Sequence, residues 1–209
     1  MSVTDWAVGV IEAMGGPGVA LVLALESVFP PVPGEVLLPF VGVTAAVHGL
    51  GWWWGILWTT AGSLAGALLL YSAGRLLGER RMRALVARVP LMDESDADAA
   101  TVWFARFGPW AVLTARVVPV VRHFISIPAG TQRMPVGTFV AATLVGSGGW
   151  NAVFVLTGYW FGRRGGDALQ GFVAVYSVVL GLLGALVVVG FVTRRLRARR
   201  RARPGQTLR

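Results

Sequence analysis

The chain has 209 residues, of which 55 % are apolar and 14 % charged. So small a charged share argues against an ordinary water-soluble domain, in which about a quarter of residues are charged, and the absence of Cys excludes disulfides and thiolate metal sites. The formal net charge is +9 and every basic residue is Arg, with seven of them between Arg194 and Arg203. Arg clusters beside hydrophobic spans mark the cytoplasmic side and meet anionic headgroups, so anionic lipids rather than nucleic acid are the expected partners of this tail.

Met1 to Gly15 lacks a basic n-region and carries Asp5 and Glu12, so it reads as an outer surface helix rather than a cleaved signal. Val19–Phe29 and Val36–Val47 are each too short to cross a bilayer and are separated by Pro30, Pro31, Pro33 and Gly34. Proline removes a backbone donor and turns its predecessor away from helix. The region of about 17–47 therefore reads as a re-entrant hairpin of two half-helices. Gly51–Gly74 is a full span, with Gly62 and Gly66 in a small-xxx-small spacing.

Residues 75–108 form an amphipathic cytoplasmic connector, in which Met82, Leu85 and Val86 lie among Arg80, Arg81, Arg83 and Arg88. Pro90 ends that helix, and a second short helix is expected from Ser95 to near Gly108. Residues 109–130 repeat the hairpin plan, interrupted by Pro119 and Pro128. Spans follow at 136–162 and 168–193, and 194–209 is a basic cytoplasmic tail. The expected fold is all-α: one polytopic membrane domain over residues 1–193.

An internal repeat supports this parsing. Tyr71, Gly74, Arg75 and Gly78 match Tyr159, Gly162, Arg163 and Gly166 in the pattern Y-x-x-G-R-x-x-G, each set closing the span that follows a hairpin. A re-entrant hairpin leaves the membrane where it entered and one span then crosses, so the two halves have opposite orientation, as in transporters built from inverted repeats. The Arg-rich connector and tail place the C-terminus in the cytoplasm. The first hairpin then opens outward, the second inward, and their tips meet inside the bilayer.

Four charges fall within the hairpins: Glu26 and Glu35 in the first, Arg116 and Arg122 in the second. Each costs about 2.5–3.5 kcal/mol at a membrane centre if unpaired. Meeting tips would let acids and guanidiniums satisfy one another. Buried ion pairs often fail to repay their desolvation, so function is the better reason for them. Arg116 and Arg122 present planar donor forks suited to a phosphate. Glu26 and Glu35 are the proton-coupling candidates, alternating between pairing with Arg and releasing it, and His123 is a possible accessory in proton transfer. No cofactor or metal is expected.

At these residues the sequence resembles the DedA family, bacterial relatives of the eukaryotic VTT-domain scramblases. The segment from Glu26 through Pro30, Pro31, Pro33 and Gly34 to Glu35 resembles the family's first hairpin, and Arg116 through Pro119 and Arg122 to Gly130 its second. Tyr71, Gly74, Arg75, Phe104, Arg106, Phe107, Met134, Phe139 and Trp150 extend the likeness over roughly residues 16–163. The resemblance implies multi-pass proteins of the bacterial cytoplasmic (inner) membrane, linked to flipping undecaprenyl phosphate or phospholipids and to proton-motive force. It also implies that Glu26, Glu35, Arg116 and Arg122 are the residues that matter. Two departures, Glu35 where some members have Asp and Gly34 where Ser is frequent, bear on substrate choice.

The combined reading is a lipid translocase, or flippase, for a phosphate-bearing lipid, with proton coupling. A proton-coupled small-ion or drug transporter would use the same acids. A membrane lipid phosphatase needs a nucleophile or metal ligands that the sequence does not offer in a recognisable pattern. A structural assembly factor would use the charges only to hold its hairpins together. Oligomeric state is left open.

Overall fold

In the computed structural model the described residues are 3–28, 34–86, 106–118 and 121–165, with isolated positions at 102, 104, 171, 174, 175 and 178. The span expected at 168–193, the basic tail, most of the connector and the prolines Pro30, Pro31, Pro33 and Pro119 lie outside them. The chain divides into two compact units, residues 1–163 and 164–209, and the helices and site below belong to the first. Among the described residues every regular element is an α-helix.

Helix α1 spans Val3–Met14 and α2 spans Gly16–Val28. Ala7 and Ile11 are one turn apart on α1 and both are buried. Gly15 between the helices has φ +61°, a left-handed conformation open to glycine without strain. The chain therefore reverses in one residue and α1 folds onto α2, where a Cβ at Gly18 would lie 2.5 Å from the Val10 carbonyl. The predicted N-terminal helix thus exists, but one face of it packs on the protein.

Helix α3 spans Gly34–Val47 and holds Pro39 in its interior. Helix α4 spans Trp52–Val86, broken at Gly78 with φ 70° and ψ 172°. Its first part, Trp52–Gly78, is 27 residues long and apolar enough to cross a membrane. It continues one turn past Gly74, where the span was expected to end. The second part, up to Val86, lies where the amphipathic connector helix was expected.

The second broken segment comprises α5 (Pro109–Ala115), α6 (Val121–Phe124) and α7 (Ser126–Thr131). Pro109 opens α5 at a position where no backbone donor is needed. Pro128 does not interrupt a helix as expected. It sits in the first turn of α7, where its missing N–H costs nothing, and the described departures from helix fall at Arg116–Val118 and Ile125. Helix α8, Val136–Arg164, is the second helix long and apolar enough to span, at 29 residues.

The groups that stand where a Cβ would lie at each glycine order these helices. Gly55 of α4 meets Val155 of α8, Thr60 meets Gly148, and Ser63 bonds Asn151, so α4 and α8 are antiparallel. Helix α2 runs parallel to α4: Gly16 meets Trp58, Gly62 meets Ala20, and Gly66 meets Ala24 and Ser27. Gly62 and Gly66 are the small pair noted in the sequence, and α2 lies directly on them. Helix α3 runs parallel to α8, through Gly158 on Pro39 and Gly162 on Val43 and Ala46. Gly74 of α4 instead receives Ile127, and Gly130 of α7 receives Tyr71. Gly146 of α8 receives Leu113 and Arg116.

The start of α2 and the end of α3 therefore lie toward the Trp52 end of α4, and Ser27 reaches only the level of Gly66, near the middle of that span. The second broken segment approaches from the other end. Tyr71, Phe104, Val112, Ile125, Met134 and Phe139 share its apolar cluster, while Ala7, Ile11, Val22, Leu23, Leu38 and Val41 form another around α1–α3. Trp53, Leu57, Leu69, Val145, Val153 and Trp160 are exposed on α4 and α8. An outer face this apolar suits hydrocarbon, and tryptophans at one end of the helix pair match an interfacial belt.

Candidate functional site

Glu26 occupies the last turn of α2 because the apolar run of that helix carries it to the level of Gly66, where glycine lets α2 approach α4. Arg116 caps the end of α5, with its backbone N–H on the Val112 carbonyl. Arg122 lies in α6, beyond the break. All three are buried, Glu26 and Arg116 at 4 % exposure and Arg122 at 7 %. The segments that carry them approach from opposite ends of the two long helices, and Arg122 meets both Glu26 and Arg116.

The Arg122 guanidinium donates through Nη2 to both Glu26 carboxylate oxygens, 3.2 Å to Oε1 and 3.5 Å to Oε2. Arg116 is held differently. Its Nη1 donates to the backbone carbonyl of Arg122 at 2.8 Å, and its Nη2 to Ser126 Oγ at 2.9 Å and Thr143 Oγ1 at 3.3 Å. Nε is buried and donates to no group among the described residues. The guanidinium carbon lies 5.8 Å from the centroid of the Phe139 ring, a distance at which an aromatic face still attracts a cation.

Arg116 therefore takes only neutral acceptors and an aromatic face among the described residues. The sequence expectation that each arginine would meet a carboxylate holds for Arg122 with Glu26. The side chains of Glu35 and His123 lie outside the described residues, so the expected roles of both rest on the sequence.

Behind Arg116, Phe139 stacks on Tyr71 with centroids 4.6 Å apart. The Tyr71 hydroxyl donates to the Met134 carbonyl and accepts from Arg75 Nη1 at 2.9 Å. This joins α4 to the start of α8 and braces the ring beneath the guanidinium. In the sequence Tyr71 and Arg75 belong to the internal repeat, and with Met134 and Phe139 they carry part of the family resemblance. The structure assigns them one local task, which is to fix Phe139.

Ser126 and Thr143 are site residues that sequence reasoning missed. Each is fully buried, but hydroxyl residues are common in membrane helices and usually bond their own backbone, as Thr59 does to the Gly55 carbonyl at 2.8 Å. The only signal available was Ser126 four residues after Arg122. Asn151, an amide inside an otherwise apolar span, was a clearer signal, and it too was passed over.

Fold and site together define a helical membrane protein that buries an Arg–Glu ion pair and a second arginine that meets only neutral acceptors among the described residues. The VTT domain model matches residues 32–160, and the chain belongs to the DedA family, of which that domain is the mark. It is 35 % identical over 193 residues to an alkaline phosphatase-like protein of Lactococcus lactis, covering 89 % of this chain and 90 % of that one. It is 31 % identical to undecaprenyl phosphate transporter A of Staphylococcus aureus, over 92 % of this chain and 96 % of the relative. To the protein of the same name in Bacillus subtilis it is 30 % identical, over 84 % and 85 %. No solved structure matches the chain significantly.

Proposed function

We propose that the protein is a proton-coupled translocase that moves a phosphate-bearing lipid across the bacterial cytoplasmic membrane, with undecaprenyl phosphate, the lipid named for its transporter relatives, as the substrate. The observation that carries the reading is Arg116. A buried guanidinium held by two hydroxyls, a backbone carbonyl and a ring keeps its full charge available to an anion, and its planar fork fits phosphate oxygens.

In this reading α2–α3 and α5–α7 are re-entrant hairpins of an inverted repeat. Their packing supports it, because each long helix receives one arm of each hairpin: α4 takes α2 and α7, and α8 takes α3 and α5. One membrane domain runs to residue 193, the connector and the tail of residues 194–209 face the cytoplasm, and the tail's arginines meet anionic lipids.

The cycle follows from the charges. The lipid phosphate enters beside Arg116 and competes with Glu26 for Arg122. Protonation of Glu26 removes the carboxylate charge and leaves Arg122 to the phosphate; deprotonation restores the ion pair and expels the headgroup. Glu35 acts as the second proton-coupling acid, with His123 as accessory. The polyprenyl chain stays in lipid, along the exposed apolar faces of the long helices.

Reconstitution in liposomes with undecaprenyl phosphate and a leaflet-specific probe tests this directly. The parent is expected to move the lipid, and the Arg116→Ala, Arg122→Ala double variant is not. Equal transport by both would overturn the reading.

The name of the Lactococcus lactis relatives favours a lipid phosphatase as second reading. Such an enzyme requires a nucleophile or metal ligands, and among the described residues no group of three His, Cys, Asp or Glu is placed to hold a metal. Inorganic phosphate released from undecaprenyl phosphate by the purified protein would decide for it.

A further inference from the structure

Helix α8 presents Thr143, Ser147 and Asn151 at four-residue spacing, and all three are buried. Side chains four apart lie on one helix face, so the three form a continuous polar stripe. At one end Thr143 accepts from Arg116 at 3.3 Å. At the other, Asn151 Nδ2 makes long bonds to Ser63 Oγ at 3.3 Å and Thr60 Oγ1 at 3.5 Å on α4. From Arg116 the stripe leads along α8 toward the end that carries Trp160, and on α4 toward Trp52 and Trp53.

The Asn151 end is not fully satisfied among the described residues. Asn151 is fully buried, and its Oδ1 accepts from no group among the described residues. The neighbouring Trp150 Nε1 is also buried and donates to none. Turning the amide over only exchanges the roles of its two ends, so one of them stays unpartnered. Membrane-buried polar groups without partners are expensive and mark functional sites. A clamp between α4 and α8 would need only the contacts to Ser63 and Thr60.

We propose that Asn151, with Ser63, Thr60 and Trp150, is a second, neutral station for the lipid phosphate on its way between Arg116 and the Trp52–Trp160 end of the protein. This rests on the translocase reading above. The amide and hydroxyls offer both donors and acceptors, which suits a phosphate monoester, whose second pKa near 6 leaves part of it carrying an O–H at neutral pH. A neutral amide or hydroxyl binds a phosphate without the ion-pair attraction and bidentate fork that a guanidinium adds. Such a site holds the headgroup without trapping it, as conduction through serial sites demands. Arg116 supplies affinity, and Asn151 supplies a way out.

The test compares the parent with Asn151→Leu and Ser63→Ala, measuring farnesyl phosphate binding in detergent and undecaprenyl phosphate transport in liposomes. Asn151→Leu is expected to lower the transport rate about tenfold, the worth of one or two lost hydrogen bonds. Farnesyl phosphate affinity should change less than about threefold, because the arginines remain. Ser63→Ala, a smaller change, should lower transport in the same direction with affinity and melting temperature at parent values. Parental transport rates in both variants would overturn the station while leaving the translocase reading intact. So would Ser63→Ala at the parent rate beside an Asn151→Leu that loses binding and thermal stability, which is the outcome of a structural clamp. A parent that neither binds nor moves these lipid phosphates removes the translocase reading and the station with it.

Discussion

Arg122 and Glu26 stand 96 residues apart in sequence and 3.2 Å apart in space, Nη2 to Oε1. One lies in α6, beyond the break that follows α5, and the other at the end of α2, so this contact ties the two broken segments together. Neither charge has bulk water to return to if the other is removed. That makes the pair a sensitive point for stability as well as for transport.

Glu26→Gln leaves Arg122 buried beside a neutral amide. Loss of one partner from a buried pair costs about 3–5 kcal/mol, and the retained amide places the expected value at the lower end. Thermal unfolding in detergent should show a clear fall in Tm for Glu26→Gln and for Arg122→Gln. The double variant should lose less than the two falls added together. Additive losses would mean that the two side chains do not interact.

Arg116→Lys keeps the charge but gives up the fork. A single ammonium cannot reproduce the directions of Nη1 to the Arg122 carbonyl and Nη2 to Ser126 and Thr143. Transport in liposomes is expected to fall by about tenfold or more, with stability reduced by about 1–3 kcal/mol for the displaced bonds. Ser126→Ala should produce a smaller fall in the same direction.

Glycine contacts predict which helix positions tolerate a methyl group. A Cβ at Gly42 would lie 2.1 Å from the Val155 carbonyl, and one at Gly130 2.1 Å from that of Tyr71. Backbone cannot move aside cheaply, so Gly42→Ala and Gly130→Ala should each destabilise by about 1–3 kcal/mol. Gly149, also within α8, has nothing within 4 Å of its would-be Cβ. Gly149→Ala is therefore expected to be neutral or to stabilise by up to about 1 kcal/mol through helix propensity.

The chain contains no Cys, which makes single-cysteine labelling clean. In the proposed topology Val47→Cys, at the end of α3, should react with a membrane-impermeant maleimide added outside intact cells. Arg133→Cys, in the turn before α8, should react only in inverted vesicles. The reverse pattern would invert the assigned orientation.

How much was legible in advance depends on the kind of signal. The two long helices were readable because roughly 20 consecutive apolar residues have no other common explanation, and their observed ends at Gly78 and Arg164 differ from expectation by one turn or less. The broken segments were announced by proline, although Pro128 proved compatible with helix because of its place in the first turn. Pro39, inside α3, went unremarked, yet its carbonyl is the surface on which Gly158 rests.

The charges illustrate the same division. That Glu26 and Arg122 would need partners could be argued from the cost of burying them. That Arg116 would instead be held by Ser126, Thr143 and a carbonyl could not, because hydroxyls are frequent in such helices and most bond within their own turn, as Ser27 does to the Leu23 carbonyl at 2.9 Å.

By itself, then, the amino-acid sequence determined the solvent of this protein, the place of its two long apolar helices, and that Glu26, Arg116 and Arg122 had to be accounted for. These are properties of composition and local spacing, and they act through hydrophobicity and backbone donors within a few residues. Only the tertiary structure decided which oxygen meets which guanidinium, and that one end of the Asn151 amide on α8 has no partner among the described residues. Those outcomes depend on how closely glycine lets four helices approach, and close approach is settled by packing between residues far apart in the chain.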